Sequence, residues 1–402
     1  MSYETMKIND ICTKVTSGGT PKSTNSEFYN PKEIPWLKTG EVNYCRLYDT
    51  ETYISKEGLA RSSAKLIPEN SVIIAMYGQG DTAGRVAINK IPLSTNQACC
   101  NLIINHEIAN YEYVYYALST LYDKLVSLKN GGAQPNLNAG IIKEVEIPFP
   151  ELVTQKKIAS ILSTYDYLIE NNHKQIKLLE ESAQRLYKEW FMDLHFPRYE
   201  DAKVVDGVPE GWTYKRVEEF GEVITGKTPS TAKTEYYGGS IPFVTIPDMH
   251  GTVFPLVTEK TLTKVGADTQ KSKYLPANTV IVSCIATVGL VNIAIEPCQT
   301  NQQINSVILH DDNSLYFFYE SMKRIKALLD GVGSNGATMT NVNKTKFSNI
   351  KVLCPTEDLV MKYNEFCKPI FDKILMLSKG ILVSKQARDR LLPKLMSGEI
   401  EV

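Results

Sequence analysis

The side chains of this chain whose types and spacing could do chemistry are amides, lysines and arginines set among glycines. In the first half they are Lys22 after Thr20-Pro21, Lys38, Tyr77 and Gln79 with Arg85, Asn96-Gln97, and Gln134 and Asn136 in a Gly131-Gly132 loop. In the second half they are Lys227 and Ser230 around Thr228-Pro229, Thr287, Gln303 after Asn301-Gln302, and Asn335, Thr338, Asn341 and Lys344. Asn and Gln can make paired hydrogen bonds to adenine, and Lys and Arg reach guanine or phosphate. Glycine lets the backbone come close to a ligand. The same residue types also build ordinary turns. The Asn-Gln pairs read as structural, holding a strand end, whereas the Gln134 and Thr338 loops read as DNA contacts.

Constellations for self-contained catalysis are missing. Gly221 to Thr228 satisfies the phosphate-loop pattern G-x-x-x-x-G-K-S/T, which needs a helix starting at its Lys-Thr. Here Pro229 follows at once and no helical period succeeds it, and the matching stretch of the first half, Gly18-Gly19-Thr20-Pro21, lacks the lysine. A base methyltransferase would need a glycine-rich cofactor loop and a polar-Pro-Pro-aromatic motif for a flipped base, and neither occurs. The five histidines form no metal-binding pair. Asp311-Asp312 reads as a solvated turn, and no nucleophile elbow occurs. The chain therefore reads as non-catalytic, with no cofactor or metal of its own.

These loops recur because the sequence repeats itself. Gly18-Gly19-Thr20-Pro21 matches Gly226-Lys227-Thr228-Pro229, and Pro68–Ile73 matches Pro276–Ile281, both offset by 208. Thr95-Asn96-Gln97 matches Thr300-Asn301-Gln302, Asn136-Leu137-Asn138 matches Asn341-Val342-Asn343, and Pro150 matches Pro355, all offset by 205. The three-residue change falls in Tyr77–Asp81, where a surface loop tolerates it. Each copy opens with short strands, buried ones at Val72–Met76 and Val280–Ser283 and further ones at Val86–Ile88 and Val291–Ala294. A helix is predicted near 110–129 and near 314–330.

Each copy ends in a long helix. Over 154–191 the positions Leu162, Tyr165, Ile169, Ile176, Leu179, Ala183, Leu186 and Trp190 are spaced by threes and fours, with Asn172 the one polar member. The shifted stripe is Ile370, Ile374, Leu377, Ile381, Ser384, Arg388, Leu391 and Leu395, with Ser384 and Arg388 its odd members. Heptad spacing over four repeats predicts a paired helix of roughly 55 Å at ~1.5 Å per residue. Its packing residues are Leu162, Ile169, Ile176, Leu179, Leu186, Ile374, Leu377, Ile381 and Leu391. Pro369 is expected to follow a break, and Pro393 to kink or end the second helix. The Pro- and Gly-containing stretch 196–211 reads as a linker.

The expected fold class is α+β: two similar α/β domains separated by two long helices pairing as a coiled coil, a pseudo-twofold internal repeat. The expected segments are 1–150 and 201–355 for the domains and 151–200 and 356–402 for the helical spacers.

Composition bounds the function. The chain has 402 residues, enough for two or three domains. Its 44 Lys and Arg nearly balance 45 Asp and Glu, for a net charge of −1. That excludes a protein coating nucleic acid by bulk charge, though not a local basic face. Residues 1–150 carry 14 basic and 15 acidic side chains, and 201–355 carry 15 of each, so DNA affinity of the chain alone is expected to be modest. No apolar run long enough for a membrane span and no signal segment is seen. Eight cysteines without a C-x-x-C pair predict free thiols in a reducing cytoplasm.

The whole set resembles the specificity subunit of type I restriction-modification systems. The resemblance rests on the Gly-x-Thr-Pro openings at 18–21 and 226–229, Val208-Pro209-Glu210-Gly211-Trp212, and Ile147-Pro148-Phe149-Pro150 followed by Gln155-Lys156-Lys157-Ile158-Ala159-Ser160-Ile161-Leu162. Leu178-Leu179-Glu180 through Trp190-Phe191 and Leu391-Leu392-Pro393-Lys394-Leu395-Met396-Ser397-Gly398-Glu399-Ile400 complete it. It implies two target recognition domains on double-stranded DNA, each gripping half of a split, non-palindromic sequence. It also implies that the two helical spacers pair as an antiparallel coiled coil and dock two adenine-N6 methylation subunits, joined by restriction/translocase subunits. S-adenosylmethionine, ATP and Mg belong, on this resemblance, to those partners. The second spacer departs from the pattern, reading Val360-Met361-Lys362-Tyr363-Asn364 where the first has Gln155-Lys156-Lys157-Ile158-Ala159. Three other readings stay open: a helical assembly adaptor without DNA readout, a phosphate-loop ATPase, and the specificity subunit of a related system whose methylation and cleavage share one polypeptide.

Overall fold

A computed structural model describes residues 3–129, 136–330 and 341–402 of the chain. They form two units, Met1–Leu168 with Ser384–Val402, and Ile169–Val383.

In the N-terminal unit, the β-branched runs become central strands. A five-stranded sheet runs in the order Cys12–Ser17, Cys99–Ile104, Val72–Ala75, Val86–Asn89, Cys45–Leu47. Neighbours are antiparallel except the last pair, which is parallel. Every residue of Val72–Ala75 and Val86–Asn89 is buried; the first is an unbroken apolar run, and Asn89 in the second donates its amide to the carbonyls of Pro68 and Ile91. A smaller sheet adds Tyr53–Ile54, Ile34–Leu37, Leu93–Thr95 and Leu66–Ile67.

The C-terminal unit repeats this plan with fewer strands. Gly221–Thr225, Ile304–Leu309, Val280–Ser283 and Val291–Ile293 form an antiparallel sheet. Lys260–Leu262, Tyr237–Val244 and Gln299–Thr300 form the smaller one. The matching Pro-x-Asn turns place Asn70 (φ 63°) and Asn278 (φ 65°) in the left-handed region, which Asn tolerates better than most side chains.

The two shorter helices are each interrupted. Tyr111–Ser119 and Tyr122–Ser127 replace the single helix predicted near 110–129, and Leu315–Lys323 and Ile325–Asp330 the one near 314–330. At the first break Ser119 Oγ and Thr120 Oγ1 donate to the carbonyls of Tyr115 and Ala117 and compete with the helical ladder. At the second, Arg324 leaves the helical region with φ −99° and ψ 10°. The stretch read as a linker contains a hairpin, Val204–Val205 against Val208–Pro209. Asp206 and Gly207 turn it with φ of 51° and 79°, the left-handed pair a two-residue hairpin loop needs.

Two long helices, Leu152–Phe191 and Glu357–Ser397, run 40 and 41 residues. In the N-terminal unit Asp166 on the first meets Arg388 on the second. In the C-terminal unit the Tyr363 hydroxyl donates to the Ala183 carbonyl (3.1 Å) and the Trp190 ring meets Phe366. Asn172 faces Gly380 and Ala183 faces Tyr363, so in the C-terminal unit numbers rise on one helix as they fall on the other and the segments pair antiparallel. Leu162, Ile169, Ile374, Leu377 and Ile381 are buried, and Ile176, Leu179, Leu186 and Leu391 are partly buried against the cores. Buried Asn172 faces Gly380, where a Cβ would lie 3.2 Å from its amide nitrogen.

Contrary to the sequence expectation, Pro369 follows no break and Pro393 does not end the second helix: both lie inside Glu357–Ser397. An interior proline costs ~3 kcal/mol. Cys367, Phe371 and Ile374 around Pro369 are core residues of the C-terminal unit. Each large apolar side chain fully buried contributes roughly 1.5–3 kcal/mol, so their burial outweighs the local defect. Leu395 and Met396 hold the turn after Pro393 in the N-terminal core.

Candidate nucleic-acid interface

The five-stranded sheet gathers the N-terminal candidate loops at one end. Cys12–Ser17 and Val72–Ala75 finish there, while Cys99–Ile104, Val86–Asn89 and Cys45–Leu47 begin there. The loops leaving that end carry Lys22, Lys38, Tyr77, Gln79 and Arg85. Leu137 N–H donates to the Met76 carbonyl (3.0 Å), which brings Asn136 to the same place. Lys22, Lys38, Gln79 and Asn136 are exposed, and Tyr77 and Arg85 are half-buried.

A clasp made twice holds these loops. Gly18 N–H donates to the Cys99 carbonyl (3.1 Å) and Gly19 N–H to that of Thr95 (2.9 Å). Gly226 and Lys227 do the same to Ile304 (3.1 Å) and Thr300 (2.9 Å). Thr20 Oγ1 donates to Gln97 Oε1, and Thr228 Oγ1 to Gln302 Oε1. Tyr29 and Tyr237 hydroxyls donate to the carbonyls of Pro21 and Pro229, both at 2.7 Å. The Gly-x-Thr-Pro and Asn-Gln motifs thus tie one loop to the next. A Cβ on Gly18 or Gly226 would fall 2.2 Å from a backbone oxygen. Gly226→Ala should cost the C-terminal unit about 1–3 kcal/mol, read as a lowered urea midpoint; an unchanged midpoint would show that the clasp yields.

This clasp also disposes of the phosphate-loop pattern. Gly221–Thr225 is a strand paired with Ile304–Leu309, and Lys227-Thr228 starts no helix. The backbone N–H groups of Gly226 and Lys227 are committed to carbonyls rather than facing a cradle.

Arg85 is the best-organised cation of the N-terminal rim. Its guanidinium pairs with Asp81 (2.6 Å) and donates to Asn43 Oδ1 (3.1 Å). The bond from Arg85 holds the Asp81 carboxyl below the usual carboxylate range. Sequence reasoning missed Asn43 and its exposed neighbour Tyr44. They reach the rim because Cys45–Leu47 joins the sheet edge parallel to Val86–Asn89, and no local pattern signals that pairing.

The C-terminal rim is built alike and furnished differently. Val342 N–H donates to the Cys284 carbonyl (2.8 Å), bringing Asn341 beside Ile285. Lys227, Ser230, Thr287, Asn341 and Lys344 are exposed. The Gln303 amide oxygen accepts from Asn301 Nδ2 (3.0 Å). The position matching Arg85 is Leu290, one residue past Gly289 as Arg85 is one past Gly84. Asn138 and Asn343 cap short helices, accepting from the N–H groups of Ile141 and Lys346. Gln134, Asn335 and Thr338 lie outside the described residues.

At the opposite ends of Gly221–Thr225 and Ile304–Leu309 lies a cleft of about 630 Å³ lined by Glu219, Asp311, Glu357 and Asp358 with Lys215 and His310. Its excess of carboxylates opposes a phosphate backbone. All eight cysteines are free thiols. Among the described residues no cluster of His, Cys, Asp and Glu could hold a metal ion, and no helix is long and apolar enough to cross a membrane.

Residues 2–181 and 209–358 match the family described as the type I restriction modification DNA specificity domain. The chain is 32% identical to the type I restriction enzyme HindI specificity subunit of Haemophilus influenzae, over 94% of this chain and 96% of that one. It is 29% identical to the MjaIX specificity subunit of Methanocaldococcus jannaschii, over 100% and 94%. Its fold is similar to the crystal structure of a type I restriction-modification S subunit from M. genitalium, with a TM-score of 0.63 at 16% identity, covering 98% of this chain and 96% of that one.

Proposed function

Since this chain belongs to the type I restriction-modification DNA specificity family, we propose that each of its two units reads one half of a split, non-palindromic duplex target. The observation that carries this reading is the pair of rims, alike in backbone and unlike in side chains. Arg85 with Asn43 stands on one, where the other has Leu290 in that place and Thr287 earlier on the same loop. Like scaffolds with unlike furniture imply different half-sites. Helices of 40 and 41 residues are each roughly 60 Å long at ~1.5 Å per residue, enough for half-sites under two duplex turns apart.

The chain is non-catalytic on this reading. Its helices dock two subunits that bring S-adenosylmethionine and methylate adenine N6. A restriction/translocase partner adds ATP and Mg. Such partners supply part of the phosphate neutralisation that two units without excess positive charge lack.

The test is the set of modified adenines in the source genome with and without this gene. A two-part motif with unlike halves and unread bases between them, lost on deletion, is the expected result. A continuous or palindromic motif overturns the reading, and an unchanged genome favours an adaptor without DNA readout. In the reconstituted complex Arg85→Ala should weaken specific binding about tenfold, since a good bidentate base contact is worth ~1–3 kcal/mol. The loss should be confined to one half-site; equal loss on scrambled duplex would make Arg85 a phosphate contact.

A further inference from the structure

We propose that Arg46, Glu112, Asp166 and Arg388 are positioning residues, an ionic clasp that sets the angle of the N-terminal recognition domain on its helix pair and so the half-site separation the complex accepts. The inference rests on the functional reading above.

The clasp joins four elements of the N-terminal unit. Arg46, on the edge strand Cys45–Leu47, has a side chain only 1% exposed. Its guanidinium meets Asp166 on the first long helix (3.1 Å), and Glu112 (3.4 Å) and the Tyr116 hydroxyl (3.0 Å) on Tyr111–Ser119. It also lies over the Tyr167 ring, 4.6 Å from the centroid. The other Asp166 oxygen takes Arg388 of the second long helix at 2.6 Å. Tyr167 donates to Glu112 (3.0 Å), and Lys90 stands 3.7 Å from the same carboxylate. Arg388, the odd member of the apolar stripe, is thereby accounted for.

The second copy of the repeat solves the same junction without charge. The repeat offsets carry Arg46 to Phe254, Glu112 to Phe317, Asp166 to Phe371 and Arg388 to Ala183. All four are buried in the core of the C-terminal unit. An apolar junction is therefore available to this fold, and buried ion pairs add little stability over well-packed apolar groups. What paired guanidinium–carboxylate contacts add is direction, because the planar fork accepts few orientations. Apolar contacts have no such preference. Arg46 is three residues beyond Asn43, which holds Arg85 on the rim. A rotation at the clasp therefore moves the reading face.

The test places the second copy's solution in the first. The variant Arg46→Phe, Glu112→Phe, Asp166→Phe, Arg388→Ala is assembled with its methylation subunits. Binding is measured on duplexes whose half-sites, taken from the modified genome, stand at the native separation or one or two base pairs off. The wild-type complex should prefer native spacing by at least about tenfold, the scale of one mismatched pair. The variant should prefer it by no more than about threefold while keeping its base preferences within each half-site. A variant as strict as wild type overturns the proposal. Should the fourfold variant not fold, Arg388→Ala alone leaves Arg46 paired, and an unchanged spacing preference there overturns it as well. A wild-type complex that binds no two-part target sinks the functional reading itself, an outcome distinct from strict spacing that survives the exchange.

Discussion

Asp166→Ala lowers the stability of the N-terminal unit by about 3–5 kcal/mol, the scale for removing one member of a buried ion pair. The substitution strands two guanidiniums. Arg46 is almost wholly buried and loses a carboxylate while keeping Glu112, Tyr116 and the Tyr167 ring, and Arg388 keeps Asp389. The Asp166 side chain is itself 7% exposed, so solvent does not screen the pair as it would at a surface. In calorimetry of the full chain the transition of this unit should fall by about 10 °C, since ~1 kcal/mol shifts a unit of this size by ~2–4 °C. A shift below about 2 °C would mean that water reaches the clasp. The effect of Asp166→Ala should far exceed that of the fourfold exchange, because the exchange leaves no charge behind.

Glu320→Gln stabilises the C-terminal unit, by an amount that grows as pH rises from about 4.5 to 7 and is constant above. Glu320 lies on Leu315–Lys323 with 3% of its surface exposed, and its Oε1 has no hydrogen-bond partner. Burial pushes its carboxyl up to about 7; Lys323 and Arg324 pull it down, and Glu180 pushes it further up. Unfolded, the group titrates near 4.5. Between those values the folded chain binds more protons than the unfolded one, so this residue's contribution worsens as pH rises from about 4.5 to 7 and is constant beyond. Glutamine never ionises. The gain should be about 2–3 kcal/mol at pH 8 and close to zero at pH 4. Urea melts at the two pH values measure it, and equal gains at both would show that ionisation is not the cause.

The two units carry different side chains on one plan. The clasps of Gly18 and Gly226 are nearly superposable in their hydrogen bonds, and they depend on residues the repeat keeps. The rims and the helix junctions depend on residues it changes. Arg85 against Leu290, and Arg46 with Asp166 against Phe254 with Phe371, are changes at matched positions. The side chains of the rims and junctions have therefore diverged while the scaffold has not.

The sequence by itself determined what short-range pattern encodes. The offsets of 208 and 205 declared two copies, the Val-Ile runs declared central strands, and the three-four spacing declared paired helices. It also placed the candidate residues in loops, and most of those described stand at one end of their sheet. Tertiary structure alone decided which distant groups meet. Arg388 looked like a defect in an apolar stripe until Asp166, 222 residues away, appeared beside it. Asn43 carried no signal in the sequence, and a parallel edge pairing brings it to Arg85. Pro369 looked like a break because its local cost is visible in sequence, whereas the burial of Cys367, Phe371 and Ile374 that offsets it is not. Local preferences are written in neighbouring residues; the burial and charge pairing that override them arise between segments brought together only by folding.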